Sequence, residues 1–160
     1  QVMKVIPFEG NETIPIIKQR VQKLIEQSYL LAHDEKVLRY DRLLTFFQSD
    51  IGLQMEQASH LGLLKREQLF VMSVPSERLG YKEGEEILVQ GMIDAFFETE
   101  NGIVLVDYKT DRIEQREEKE FIEKYRTQME VYKEAIEKIT SKKVTKIYLY
   151  SFFQSKCLEV

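Results

Sequence analysis

Asp94, Asp107 and Lys109 are residues of this 160-residue chain whose types and spacing could do chemistry together. They flank Asn101-Gly102, the pair that a tight primed turn favours because both of its central residues need positive φ. The spacing predicts an antiparallel hairpin of residues 87–97 and 103–109. A loop at 101–102 sets Asp94 opposite Lys109, and a loop at 100–101 sets it opposite Asp107. In both registers opposing positions sum to an odd number, so the two aspartates and the lysine share one face. The other face then carries Ile93, Ala95, Phe97, Val104, Val106 and Tyr108, an apolar set suited to a hydrophobic core.

Three ionisable groups on one patch of an apolar sheet are costly to desolvate unless they neutralise one another or hold an ion. Two aspartates suit a hard, oxygen-preferring cation such as Mg²⁺, which keeps several waters and takes one or two carboxylates from a protein. An ammonium beside it could hold a water or stabilise negative charge developing on a phosphate. The plainer reading is a structural Asp–Lys cross-strand pair, the commoner use of such residues. Spacing alone does not overturn it.

The elements that must position these residues follow from hydrophobic periodicity. Residues of about 14–32 read as an amphipathic helix carrying Ile16, Ile17, Val21, Leu24, Ile25 and Tyr29. A second helical stretch spans about 36–59, with Ser49-Asp50 as a cap where it breaks and restarts. Residues 63–73 read as a strand and 74–86 as a loop with Pro75, Gly80 and Gly84. The hairpin comes next, then a polar segment to Glu117 and a helix of about 117–139. A β-prone run, Val144 to Phe153, closes the order. Gln128 and Tyr132, four apart on the last helix, share a face. Read from periodicity alone, Tyr132 is a core aromatic beside Phe121, Tyr125, Ile136 and Ile139.

The order Gly91-x-x-Asp94, a turn, Asp107-Tyr108-Lys109-Thr110-Asp111 and a helix with Gln128-x-x-x-Tyr132 resembles the motif set of RecB-like nucleases of the PD-(D/E)XK superfamily. Val89-Gln-Gly-Met-Ile-Asp94-Ala-Phe-Phe and Ile103-Val-Leu-Val-Asp107-Tyr-Lys-Thr-Asp111 are closer still to the C-terminal nuclease domain of the A subunit of AddAB-type helicase–nucleases. Lys65-Arg66-Glu67-Gln-Leu-Phe70 is similar to the Arg-Glu-x-Pro-Phe strand of that family, with Leu69 where proline is usual, and this sets Glu67 at the border of the site. The resemblance implies an α/β (α+β mixed-sheet) fold with a restriction-endonuclease-like core. The whole chain, residues 1–160, would be one nuclease domain, with a helical lead-in over 1–60 and the catalytic core over 61–160.

The same resemblance implies that Asp94, Asp107 and the backbone carbonyl of Tyr108 ligate Mg²⁺, for which Mn²⁺ could substitute. Lys109 would position the attacking water, and Gln128 with Tyr132 would border the centre. Asp111 is read equally well as a strand-end or turn-capping residue. The implied activity is metal-dependent exonucleolytic hydrolysis of DNA, within an ATP-driven helicase–nuclease heterodimer that processes double-strand breaks together with a partner B subunit. Its ATP would bind only to a helicase part, because no Gly-x-x-x-x-Gly-Lys-Thr loop occurs in these residues. The alternative is a nuclease-fold module that has lost catalysis and serves to hold DNA or in subunit docking. Together, Asp94, Asp107, Lys109 and Gln128 argue for the enzyme.

Family members usually carry a Gly-Thr-His motif whose histidine is a further metal ligand. Neither His33 nor His60 has that context, and Val2-Met3-Lys4-Val5-Ile6 resembles the residues that follow the motif. The expected ligand would therefore precede Gln1, the chain would be a segment of a larger protein, and tested alone it would be weakly active or inactive. A lone Cys157 supports neither an intrachain disulfide nor the iron–sulfur cluster of some relatives. No apolar run reaches the ~18 residues of a membrane span, and no signal peptide is evident, which leads to an expectation of a bacterial cytoplasmic protein. The net charge of −4 offers no general attraction for a polyanion. Lys142, Lys143 and Lys146 form a small basic run that suits a solvated connection at least as well as a DNA contact.

Overall fold

Helical spacing of apolar residues builds the first of two units, residues 1–64, in the computed structural model, which describes residues 1–82 and 84–160. The unit contains α1 (Val2–Val5), α2 (Ile14–Glu26), α3 (Ala32–Glu35), α4 (Tyr40–Gln48) and α5 (Asp50–His60). Thr13 caps α2 by accepting the Ile16 N–H at 3.4 Å, and the helix buries Ile17, Val21 and Leu24. It ends at Glu26 rather than near residue 32. Ser28 turns to φ +64, and the Leu24 carbonyl accepts both the Tyr29 and Leu30 N–H groups, which closes the C-terminus. The second helical stretch starts at Tyr40, not 36, and breaks where expected. Ser49 accepts the Gly52 N–H at 3.2 Å and donates to the Phe46 carbonyl at 2.6 Å. Phe8, Phe46 and Phe47 pack edge to face within this unit, with centroids 5.3–6.1 Å apart.

The second unit, residues 65–160, holds a mixed sheet in the order β1 (Leu64–Pro75), β2 (Glu86–Thr99), β3 (Gly102–Lys109), β4 (Val144–Ser151), β5 (Lys156–Glu159). β2 and β3 form the expected antiparallel hairpin. β3 and β4 are parallel, which demands a crossover, and helix α6 (Glu118–Thr140) supplies it. Phe121, Met129, Val131, Tyr132, Ala135 and Ile136 of α6 join Phe96, Ile103, Leu105 and Leu149 of the sheet in one core. This is the mixed α/β architecture of a restriction-endonuclease-like core. The short, largely polar strand β5, antiparallel to β4, was not expected from the sequence.

Two details of the hairpin refine the sequence reading. Thr99 pairs with Gly102, so the turn is centred on Glu100-Asn101, the second of the two registers allowed, but neither residue has positive φ. Gly102 instead opens β3 at φ +131, where a Cβ would stand 2.6 Å from the Lys143 carbonyl oxygen. Glycine serves that position twice, by conformation and by room for the chain entering β4. The second correction concerns faces. Ala95, Phe97, Val104 and Val106 are buried as expected, yet Phe96, Ile103 and Leu105 on the aspartate face are buried too. β3 is a central strand, and its run Ile103-Val-Leu-Val106 is covered on both sides, as parallel-paired strands commonly are. The ionisable groups therefore lie on a face that α6 covers.

Candidate active site

β3 ends in the pair that gives the site its charge. Asp107 is 3% exposed, and its Oδ2 lies 2.7 Å from Lys109 Nζ. The register Ala95 to Val106, continued by one step, brings Asp94 level with Asp107. Asp94 Oδ2 accepts the backbone N–H of Tyr108 at 2.8 Å, which ties the β2 carboxylate to the peptide between Asp107 and Lys109. Two carboxylates and an ammonium are thus gathered at one end of the hairpin.

Their electrostatics are unbalanced. Burial pushes the Asp107 carboxyl up to about 6; the bond and charge of Lys109 pull it down, and the Asp94 carboxylate adds a smaller upward push. The desolvation cost outweighs the contact with Lys109. Asp107 Oδ2 has the Lys109 ammonium as its partner at 2.7 Å, and that single contact does not offset the burial of the carboxylate.

Helix α6 supplies the remaining wall. Gln128 Oε1 accepts from Lys109 Nζ at 3.1 Å, while Gln128 Nε2 donates to the Tyr132 hydroxyl at 2.9 Å. Their four-residue spacing puts the amide and the phenol on one face, as the sequence suggested. Tyr132 is also a core residue, 9% exposed, with its ring edge to face with Phe70 at 5.5 Å. Burial raises its pKa, and the charge of Asp107 adds to the rise. The core reading of Tyr132 holds, and its hydroxyl is at the same time bonded to Gln128. Gly91 lets β2 pass beneath these rings: a Cβ there would stand 2.7 Å from Phe70 Cε1 and 3.6 Å from Tyr132 Cε1. A cleft of about 300 Å³ opens beside Gln128 and Tyr132, walled largely by Phe70, Val89, Gly91 and Val131.

Sequence reasoning missed Tyr125, placing it only in the core. Its ring lies under the Lys109 ammonium, 3.7 Å from Nζ to the centroid, and its hydroxyl donates to Asp111 at 3.1 and 3.2 Å. The signal was present in the spacing 125, 128, 132, which is one helical face. Asp111 also pairs with Lys124 at 3.0 Å, which holds its carboxyl below the usual range. Its observed partners are structural ones.

Residues 11–156 match the PD-(D/E)XK nuclease superfamily. The chain belongs to the PD-(D/E)XK nuclease superfamily. Over 99% of its length it is 39% identical to the A subunit of the ATP-dependent helicase/nuclease of Clostridium beijerinckii, of which it covers 13%. The corresponding proteins of Clostridium perfringens and Thermoanaerobacter pseudethanolicus are 36% and 34% identical over 99% of the chain, again with 13% of each covered. The chain thus spans about 13% of the length of these relatives.

PD-(D/E)XK nucleases generally use divalent metal ions, and the donors of this chain fit one. Asp94 and Asp107 offer hard oxygens at one end of the hairpin, and Asp107 is buried with one ammonium against two carboxylates. Among the described residues no cluster of three or more Asp, Glu, His or Cys side chains could hold an ion, so the fit is to a cation that keeps much of its water. Glu67 lies in β1 at the strained φ of +53, and its charge and that of Arg66 act on the Tyr108 phenol, whose pKa burial raises. His33 is exposed, 3.6 Å from Asp34, and His60 is the last residue of α5. The basic run is largely neutralised: Lys142 pairs with Glu98, Lys143 with Glu137, and Lys146 lies 5.8 Å from the Tyr148 ring. Among the described residues, no helix is long and apolar enough to cross a membrane.

Proposed function

We propose that this chain hydrolyses DNA phosphodiester bonds with the aid of Mg²⁺, in the manner of an exonuclease domain. The observation that carries the reading is the buried Asp107–Lys109 contact beside Asp94, two carboxylates and one ammonium gathered on a covered face of the sheet. Asp94, Asp107 and the Tyr108 carbonyl would hold the cation, with Mn²⁺ as a substitute. When bound, the cation supplies Lewis acidity toward the phosphate and lowers the pKa of bound water. Lys109 orients the attacking water and offsets charge growing on the phosphate. Gln128 holds the Lys109 ammonium through its Oε1 and anchors itself on Tyr132 through its Nε2. Glu67 borders the site. The cleft beside Gly91 leaves room for a strand to approach.

By its relatives' names, the domain would serve within an ATP-dependent helicase/nuclease, with ATP bound in a helicase part and a second, partner subunit in the same enzyme. Its role would be the processing of double-strand breaks for recombinational repair in a bacterial cytoplasm. The coexistence of Asp94, Asp107, Lys109 and Gln128 at one corner favours this reading over an inactive docking or DNA-holding module. The test is cleavage of end-labelled single-stranded DNA by the full-length protein with Mg²⁺ or with a chelator, beside Asp107→Ala. Cleavage that needs both the cation and Asp107 supports the proposal. Cleavage that survives the substitution overturns the site assignment, and a folded protein that never cleaves overturns the activity.

A further inference from the structure

The ammonium of Lys109 has contacts on three sides. Asp107 Oδ2 lies 2.7 Å away, Gln128 Oε1 3.1 Å away, and the centroid of the Tyr125 ring 3.7 Å away. Only the first partner is charged, and it is the one that a bound cation would draw upon. Once Asp107 shares its charge, the hold on a flexible four-carbon side chain falls to the two neutral partners on α6. An aromatic face is suited to that task, since it attracts an ammonium without accepting a conventional hydrogen bond and so leaves N–H groups for water or phosphate.

Tyr125 is itself clamped. Its hydroxyl donates to both oxygens of Asp111 at 3.1 and 3.2 Å, Asp111 is held by Lys124 at 3.0 Å, and Phe121 meets the ring edge to face at 5.1 Å. Asp111 lies two residues after Lys109 in the chain, so the end of β3 and α6 are joined on both sides of the ammonium. Lys124 Nζ also lies 4.8 Å from the same ring, but its side chain is 60% exposed, against 12% for Lys109. Desolvation makes the inner contact the stronger one.

We propose that Tyr125 is a positioning residue for Lys109: its ring holds the ammonium toward the reacting phosphate, and Asp111 holds the ring. This rests on the nuclease reading above, and the experiment separates the two. In the full-length protein, Lys109→Ala, Tyr125→Leu and Tyr125→Phe are compared for DNA cleavage. Position 125 is then filled in turn by phenylalanine carrying one, two and three fluorines, which weaken the ring's attraction for a cation at nearly constant shape. Tyr125→Leu is expected to lower kcat roughly 3- to 30-fold with little change in KM, and Tyr125→Phe to retain most of the rate. Each fluorine should lower kcat further. A crystal structure of Tyr125→Leu grown with Ca²⁺, beside the parent grown the same way, gives a readout independent of activity, and in the variant the Lys109 ammonium should leave Gln128.

A fluorine series at constant kcat, Tyr125→Phe as impaired as Tyr125→Leu, an effect on KM alone, or Lys109 unmoved in the variant structure would each overturn the proposal. If Lys109→Ala is inactive while Tyr125 is silent, only this inference falls. If Lys109→Ala cleaves like the parent, the nuclease reading falls and takes this one with it.

Discussion

Two buried ion pairs, one in each unit, set a structural contact beside one proposed to be functional. In the helical unit, Arg20 and Glu12 have side chains 13% and 4% exposed; in the sheet unit, Lys109 and Asp107 are 12% and 5% exposed. Burial does not tell them apart, but the number of bonds across each pair does. Arg20 Nη1 donates to both Glu12 oxygens at 2.6 Å, and Arg20 Nη2 reaches Glu9 at 3.1 Å. One guanidinium nitrogen bonded to both Glu12 oxygens, with a second nitrogen on Glu9, offsets much of the desolvation of the pair. The point charge of Lys109 meets Asp107 through Oδ2 at 2.7 Å, and burial still raises the carboxyl to about 6. On the proposed reading, the difference is that the protein has left the charge at Asp107 incompletely offset where a cation would bind.

The contrast predicts different signatures for the two pairs. The largest effect is expected of Lys109→Ala, which should lower DNA cleavage per folded molecule on the order of 10³-fold, well beyond the stability lost by stranding the buried Asp107 carboxylate. A loss explained by unfolding in a parallel melt would break the comparison. Arg20→Ala also strands a buried carboxylate, that of Glu12, but should spare the chemistry. Urea denaturation should show a loss of about 3–5 kcal/mol, with cleavage per folded molecule retained. Equal stability of Arg20→Ala and parent would mean that the better-satisfied pair is not the structural one.

Gly91→Ala sharpens the comparison from the side of shape, since a Cβ would press on the buried Phe70 ring behind Tyr132. It should cost about 1–3 kcal/mol in denaturation and also slow cleavage. Stability lost with kcat unchanged would show that Tyr132 does not transmit its position to Gln128. The smallest effect is expected of Ser49→Ala, which removes the cap of α5 for about 1 kcal/mol without touching cleavage.

The charged face of the hairpin was legible because opposing residues sum to an odd number in either register, so the register's uncertainty did not matter. The turn itself was not. Gly102 is required by its φ and by the Lys143 carbonyl from a distant segment, and no local pair statistic carries that contact. Alternation between residues 93 and 108 suggested one buried face, whereas the unbroken run Ile103 to Val106 was the better guide to a strand covered on both sides. Helical spacing placed Gln128 and Tyr132 together, yet assigned Tyr125 to the core. Periodicity tells which way a ring points, not whether its face meets a methyl group or an ammonium. The early end of α2 at Glu26 turned on Ser28 adopting positive φ, where no glycine marked the stop.

The most direct test of the central claim is the melting temperature of Asp107→Asn against the parent, each with and without Mg²⁺. Asparagine keeps the shape and can turn its carbonyl to Lys109, but carries no buried charge. If the corner is held short of satisfaction for the sake of a cation, the metal-free variant melts at or above the parent, and Mg²⁺ raises the melting temperature of the parent alone. A variant that melts well below the parent, with Mg²⁺ acting equally on both or on neither, would contradict the account and make Asp107–Lys109 a structural pair like Arg20–Glu12.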